Sequence, residues 1–263
     1  MWFKVRVSVL LLILALTTQQ SILKDGAPSW NRTLYVNLYP INADGSAVTA
    51  QTIATLDSTS LEDLDSYFRE EAARYELPLA QPFSFRWASE IKDLPPKLIS
   101  GHPDRPAWLK VFKTIVWSLK LRWWAHNHSP KTSTPADIRL YVLYYDPASR
   151  EVLEHSTALN KGRIGVVNVF ASARHKKQNN VVIAHELLHT VDASDKYNLA
   201  SNQPLYPAGF AQPDLSPVYP QTFAELMAGR RPVSQYRAEI PQSLLFTIIG
   251  EITAKEIGWL KTH

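Results

Sequence analysis

The chain has no cysteine among its 263 residues. That absence excludes a disulfide framework, a thiolate nucleophile, a cysteine-ligated metal site and a cysteine-switch prosegment. It leaves the compartment open. Also missing are a glycine-rich phosphate loop, a Gly-x-Ser-x-Gly elbow and any nucleic-acid-binding module. There is no internal repeat and no low-complexity tract. Neither sign of charge dominates: 28 Lys and Arg against 24 Asp and Glu leave a net charge of +4. This mild basic excess suits contact with an anionic envelope surface and is too diffuse for nucleic acid.

What is present describes a folded protein. An apolar share of 45%, a charged share of 20% and eight tryptophans argue against disorder. The length favours one large domain over two small ones. Near the N-terminus, Lys4 and Arg6 precede an apolar run from Val7 to Leu16, followed by polar Thr17 to Ser21. A charged end before a short apolar core is the pattern of an export signal. A small-x-small cleavage site is missing, and residues 2–18 are just long enough to span a bilayer as an uncleaved anchor. The expectation is export to a periplasmic or extracellular position, tethered to the membrane by the N-terminal segment. Residues 1–20 are then signal or anchor, 21–32 a linker, and 33–263 a single domain.

Within that domain, residues 34–39 read as a strand closed by Pro40, and residues 59–75 as a helix with Leu61, Leu64, Tyr67, Phe68 and Ala72 on one face. Residues 83–87 form a second strand, and 93–106 are proline-rich loop. Residues 107–125 read as a helix whose Lys110, Lys113, Lys120 and Arg122 form either a lipid- or wall-facing surface or an ordinary solvated face. Residues 138–145 suit a central strand, and 163–170 another just before a helix capped by Asn179 or Asn180. Residues 197–221 lack regular structure and suggest a wall or lid. Residues 242–259 read as a closing amphipathic helix. Such a mixed order implies an α+β or three-layer domain, with a mixed sheet packed on helices.

The pattern with chemical content is His185-Glu186-Leu187-Leu188-His189. Residues four apart share a helix face, so both imidazoles can reach one zinc ion. Glu186, one step round, can take a proton from a water on that zinc. Catalytic zinc needs a third protein ligand and one open position. If the helix stops near Val191 and turns sharply, Asp195 returns to the same point, and its carboxylate is a competent ligand. Two histidines and a glutamate on a helix with Val181, Val182, Ile183, Leu187 and Leu188 are costly to bury without a partner.

This stretch resembles the metzincin group of zinc metallopeptidases, whose pattern is His-Glu-x-x-His-x-x-Gly-x-x-His or Asp. The aspartate form is similar to the snapalysin variant. The resemblance implies a zincin-like fold, zinc on His185, His189 and Asp195, Glu186 as general base, and protein or peptide substrates. It also implies a methionine turn beneath the metal, for which Met227 is suitably placed. Asp192 stands where the group has glycine, and the tyrosine that usually follows two residues after the methionine is missing. A gluzincin-like alternative takes Glu225 as third ligand and leaves Asp192 or Asp195 to orient a histidine.

Other residues rank lower. Tyr197 is either a donor to a developing oxyanion or a core tyrosine. Asn168 is a candidate for holding an extended substrate by strand addition. His126, His128 and His155 read as surface residues. Two other functions use the same motif: a non-catalytic zinc-binding envelope protein, and a zinc amidase acting on cell-wall peptides.

Overall fold

Parallel pairing of four apolar strands builds the centre of the molecule. The computed structural model describes residues 26–97, 107–130 and 135–260. The signal or anchor segment 1–20 lies outside these residues, as does part of the linker. Among the described residues, no helix is long and apolar enough to cross a membrane.

The chain runs β1 (Leu34–Asn42), α1 (Ala47–Ala54), α2 (Glu62–Arg74), β2 (Phe83–Trp87), α3 (Ala107–His128), β3 (Ile138–Tyr145), β4 (Thr157–Leu159), β5 (Ile164–Phe170) and α4 (Lys176–His189). Short pairs follow, β6 (Ala224–Glu225) with β9 (Thr247–Ile248) and β7 (Arg231–Ser234) with β8 (Arg237–Glu239), before α5 (Glu251–Glu256). The main sheet has the order β2-β1-β3-β5-β4. Its first four strands are parallel, and β4 runs antiparallel at the edge.

Strand alternation divides the core into two layers. Leu34, Val36 and Leu38 of β1, with Ile138, Leu140 and Val142 of β3, face α2 and α4. Tyr39, Ile41, Tyr141, Leu143 and Tyr145 face Trp117, Leu121 and Trp124 of α3. The result is an α+β domain with helices on both faces of a mixed sheet. Covered on both sides, β3 is a near-continuous apolar run.

Several elements depart from the sequence reading. Pro40 lies inside β1 rather than ending it. In a parallel strand a residue's N–H and C=O point to the same neighbour, and Pro40 faces the β2 side. There β2 has already ended at Trp87, so no ladder bond is lost, and the Pro40 carbonyl accepts from Ile91 N at 3.0 Å. Helix α1 has no strong apolar periodicity and escapes notice, though Ser46 caps it through Thr49 N at 3.1 Å. Residues 242–259 are not one helix. Ile249 N donates to Glu71 at 2.7 Å, the Ile249 carbonyl accepts from Arg74 and Tyr75, and residues 247–248 pair with β6. Only a 3-10 turn at Leu244–Phe246 and α5, after Gly250, are helical. In the segment read as linker, Trp30 is buried against Phe83 and Trp259 and donates to Ile257 O at 2.6 Å.

Candidate metal centre

Helix α4 is held by its apolar face: Val181, Ile183, Ala184, Leu187 and Leu188 are buried against the sheet and α2. It starts from a 3-10 turn at Ala173–His175 capped by Ser172. Asn179 is therefore not the N-cap. It lies inside α4 and uses its amide to bind both the N–H and the C=O of Phe170, tying the helix to the end of β5.

The helix ends on the last residue of the motif, His189, with Thr190 as its C-cap. Ala193 N donates to Leu188 O at 3.1 Å, the long-range bond of a Schellman stop, with Asp192 in the position before it. Asp192 has φ +89°, the left-handed backbone that glycine adopts at no cost. The required turn is thus made without glycine, and the Asp192 carboxylate accepts from the Asn160 amide.

Beyond the turn, Asp195 is set between two anchored neighbours. Ser194 donates from its backbone and hydroxyl to Glu256 of α5 at 3.0 and 2.7 Å. The buried Lys196 ammonium binds Glu256 at 2.6 Å and Ser194 O at 2.9 Å, and Lys196 N donates to Met227 O at 2.9 Å. Pinned on both sides, the Asp195 carboxylate projects back over the helix.

Its Oδ1 lies 3.2 Å from His185 Nε2 and 3.1 Å from His189 Nε2, and the two Nε2 atoms are 3.1 Å apart. These three edges nearly match one face of a tetrahedral zinc site, whose ligand-to-ligand edge is roughly 3.3 Å for ordinary bond lengths. The other ring nitrogens are committed: His185 Nδ1 to Leu226 O at 3.0 Å and His189 Nδ1 to Ala193 O at 2.8 Å. Each Nδ1 faces a carbonyl and so donates, which turns the Nε2 lone pair of a neutral ring inward. Three acceptors then meet with no donor among them, an arrangement that calls for a cation or a proton. His185, His189 and Asp195 can together hold a metal ion.

Electrostatics agree with this geometry. Burial lowers the His185 pKa, but the hydrogen bond to Asp195, the Glu186 charge and the Leu226 carbonyl outweigh it and raise the value to about 9. Burial also opposes ionisation of Asp195, yet its bonds to His185 and His189 hold it well below the usual carboxylate range. Glu186 is buried and its pKa is raised, chiefly by that burial. Its Oε2 is buried with no hydrogen-bond partner among the described residues. Tyr197 is pushed up to about 12 by burial and by the nearby Asp195 and Glu186 charges, so it stays protonated beside the cluster.

Glu225 stands apart. Its buried carboxylate accepts from Ala228 N at 2.9 Å, Gly250 N at 3.1 Å and Thr253 Oγ1 at 2.7 Å. A Cβ at position 250 would come within 3.0 Å of Glu225 Cγ, so glycine is what lets this buttress close. Met227 is fully buried in the 3-10 turn Leu226–Ala228 that receives the His185 hydrogen bond. Asn168 binds the carbonyls of Glu154 and His155 and takes Ser156 Oγ on its own N–H, so it shapes the segment leading to β4. His155, read as a surface residue, is exposed but close enough to lower the Glu186 pKa. Only folding brings β4 beside α4, so no sequence signal marks it. His126 is exposed, and His128 stacks on Trp124 far from the motif.

No family model matches this chain, and no curated protein does either.

Proposed function

We propose that the protein is a zinc-dependent metallopeptidase of zincin type, metzincin-like, with zinc on His185, His189 and Asp195 and Glu186 as general base. The observation that carries this reading is the convergence of two Nε2 lone pairs and one carboxylate oxygen beside a buried, unpartnered Glu186 Oε2. Two imidazoles and one carboxylate suit zinc, and three protein ligands leave the open position that catalytic sites keep. Bound there, zinc supplies Lewis acidity towards a water and a scissile carbonyl. A structural site needs no buried base beside it. The left-handed Asp192 and the buried Met227 turn also support the metzincin-like assignment over one with Glu225 as ligand.

The chain's own groups then divide the work. Glu186 Oε2 takes the proton of the attacking water and returns it to the leaving amine. Its raised pKa suits both halves of that exchange. The Leu226 and Ala193 carbonyls keep the imidazoles in the required tautomer. Strand β4 pairs on one side with β5. Its other edge, unpaired among the described residues, offers backbone groups to an extended peptide, the role first considered for Asn168.

Glu186→Gln tests the mechanism: chelator-sensitive cleavage of a peptide library should fall by about 10²–10⁴-fold with zinc content unchanged. Undiminished cleavage would remove Glu186 from its role. A wild-type protein that holds zinc but shows no chelator-sensitive cleavage would be the non-catalytic envelope protein instead.

A further inference from the structure

Helix α3 has two apolar faces pointing in opposite directions. Trp117, Leu121, Trp124 and Ala125 pack against the sheet. Phe112, Leu119 and Trp123, spaced seven and four apart, fall within an arc of about 40° on the far side. They are 57%, 43% and 70% exposed, with Val111 beside them at 59%. A helix apolar on opposite sides is normally covered on both. No described element covers this one.

The charge on α3 says what would cover it. Its 22 residues include Lys110, Lys113, Lys120 and Arg122 and no Asp or Glu. Arg122 is committed to Lys161 O at 2.7 Å. Among the described residues, Lys113 and Lys120 meet no carboxylate within salt-bridge distance. Both lie along one flank of the exposed stripe, where their stems can follow the apolar surface while the ammonium groups reach outward. Exposed tryptophan, phenylalanine and leucine bordered by unpaired lysines match the boundary between acyl chains and anionic headgroups.

We infer that the outer face of α3 docks on an anionic lipid bilayer. This does not rest on the metal-site reading. It goes with the anchor expected of segment 1–20 of the same chain, which would keep the domain at the bilayer surface where α3 can dock. Because α3 and α4 cover opposite faces of the sheet, docking turns the metal centre away from the membrane.

The cysteine-free chain makes the test direct. A single Leu119→Cys substitution in the full chain, labelled with an environment-sensitive fluorophore, reports on α3 whatever the N-terminal segment does. In phosphatidylcholine vesicles containing half phosphatidylglycerol, the label should shift to the blue and be shielded from an aqueous quencher. In phosphatidylcholine alone it should not. Lys113→Gln with Lys120→Gln should lower the ratio of shielded to unshielded label about 25-fold, about fivefold per lysine, while Lys113→Arg with Lys120→Arg keeps it. Circular dichroism of each variant checks the fold. A label that stays in water on anionic vesicles overturns the inference. So does one already shielded without lipid: concentration dependence would then identify a second copy as the cover, and its absence the chain's own N-terminal segment.

Discussion

Proton competition at the metal centre gives the most quantitative prediction. Metal binding needs a neutral His185 Nε2, yet in the metal-free protein the surrounding groups raise this imidazole to about 9. Near neutral pH an incoming ion must therefore displace a proton. At pH 7, two units below that pKa, the apparent affinity should be about 100-fold weaker than its high-pH limit. From pH 7 to 8.5 the apparent Kd should fall about tenfold per unit. Isothermal titration in buffers of differing ionisation enthalpy should detect about one proton released per zinc bound. The same linkage sets the stability of the chelated protein. The folded-state pKa of His185 lies above its ordinary value near 6.5. Its stabilisation is therefore complete below that pH and lost as pH rises through about 9. Glu186, also raised, acts in the same direction. The Tm of the chelated protein should fall over this range, while the increase in Tm on adding zinc grows. A pH-independent Kd with no proton release would refute the claim that one proton holds the cluster together without metal.

Variants separate the ligand from its supports. Asp195→Ala should abolish tight zinc binding, a greater loss than the 10–100-fold expected for a supporting partner. Glu225→Ala should retain zinc yet destabilise the fold by about 3 kcal/mol or more, because two backbone N–H groups and the Thr253 hydroxyl lose their acceptor. Zinc retention by equilibrium dialysis and urea unfolding read the two effects, and the reverse pattern would make Glu225 the ligand. At the turn, Asp192→Gly should stay within about 1 kcal/mol of wild type in unfolding and keep its zinc affinity, since glycine adopts φ +89° freely. Asp192→Val should cost at least 1–2 kcal/mol and weaken zinc binding. Equal behaviour of the two would remove the backbone argument.

Local pattern sufficed for the features that depend on spacing alone. Residues four apart on a helix share a face in any fold, so His185, Glu186 and His189 were legible as a unit. A continuous apolar run such as 138–145 marks a strand covered on both sides. The α+β class followed from the order of such segments. Other features depended on partners distant in the chain. Pro40 is tolerated in β1 only because β2 ends beside it, and residues 247–249 are extended only because Glu71, Arg74 and β6 bind their backbone. The third ligand was open between two carboxylates. Tertiary structure brings Asp195 and not Glu225 to the histidines, because Glu256 and Lys196 pin the loop that presents Asp195, while Gly250 and Thr253 hold Glu225 in the core. Spacing alone could place a carboxylate within reach of the histidines. Which carboxylate arrives there was set by the hydrogen bonds that each makes with the rest of the fold.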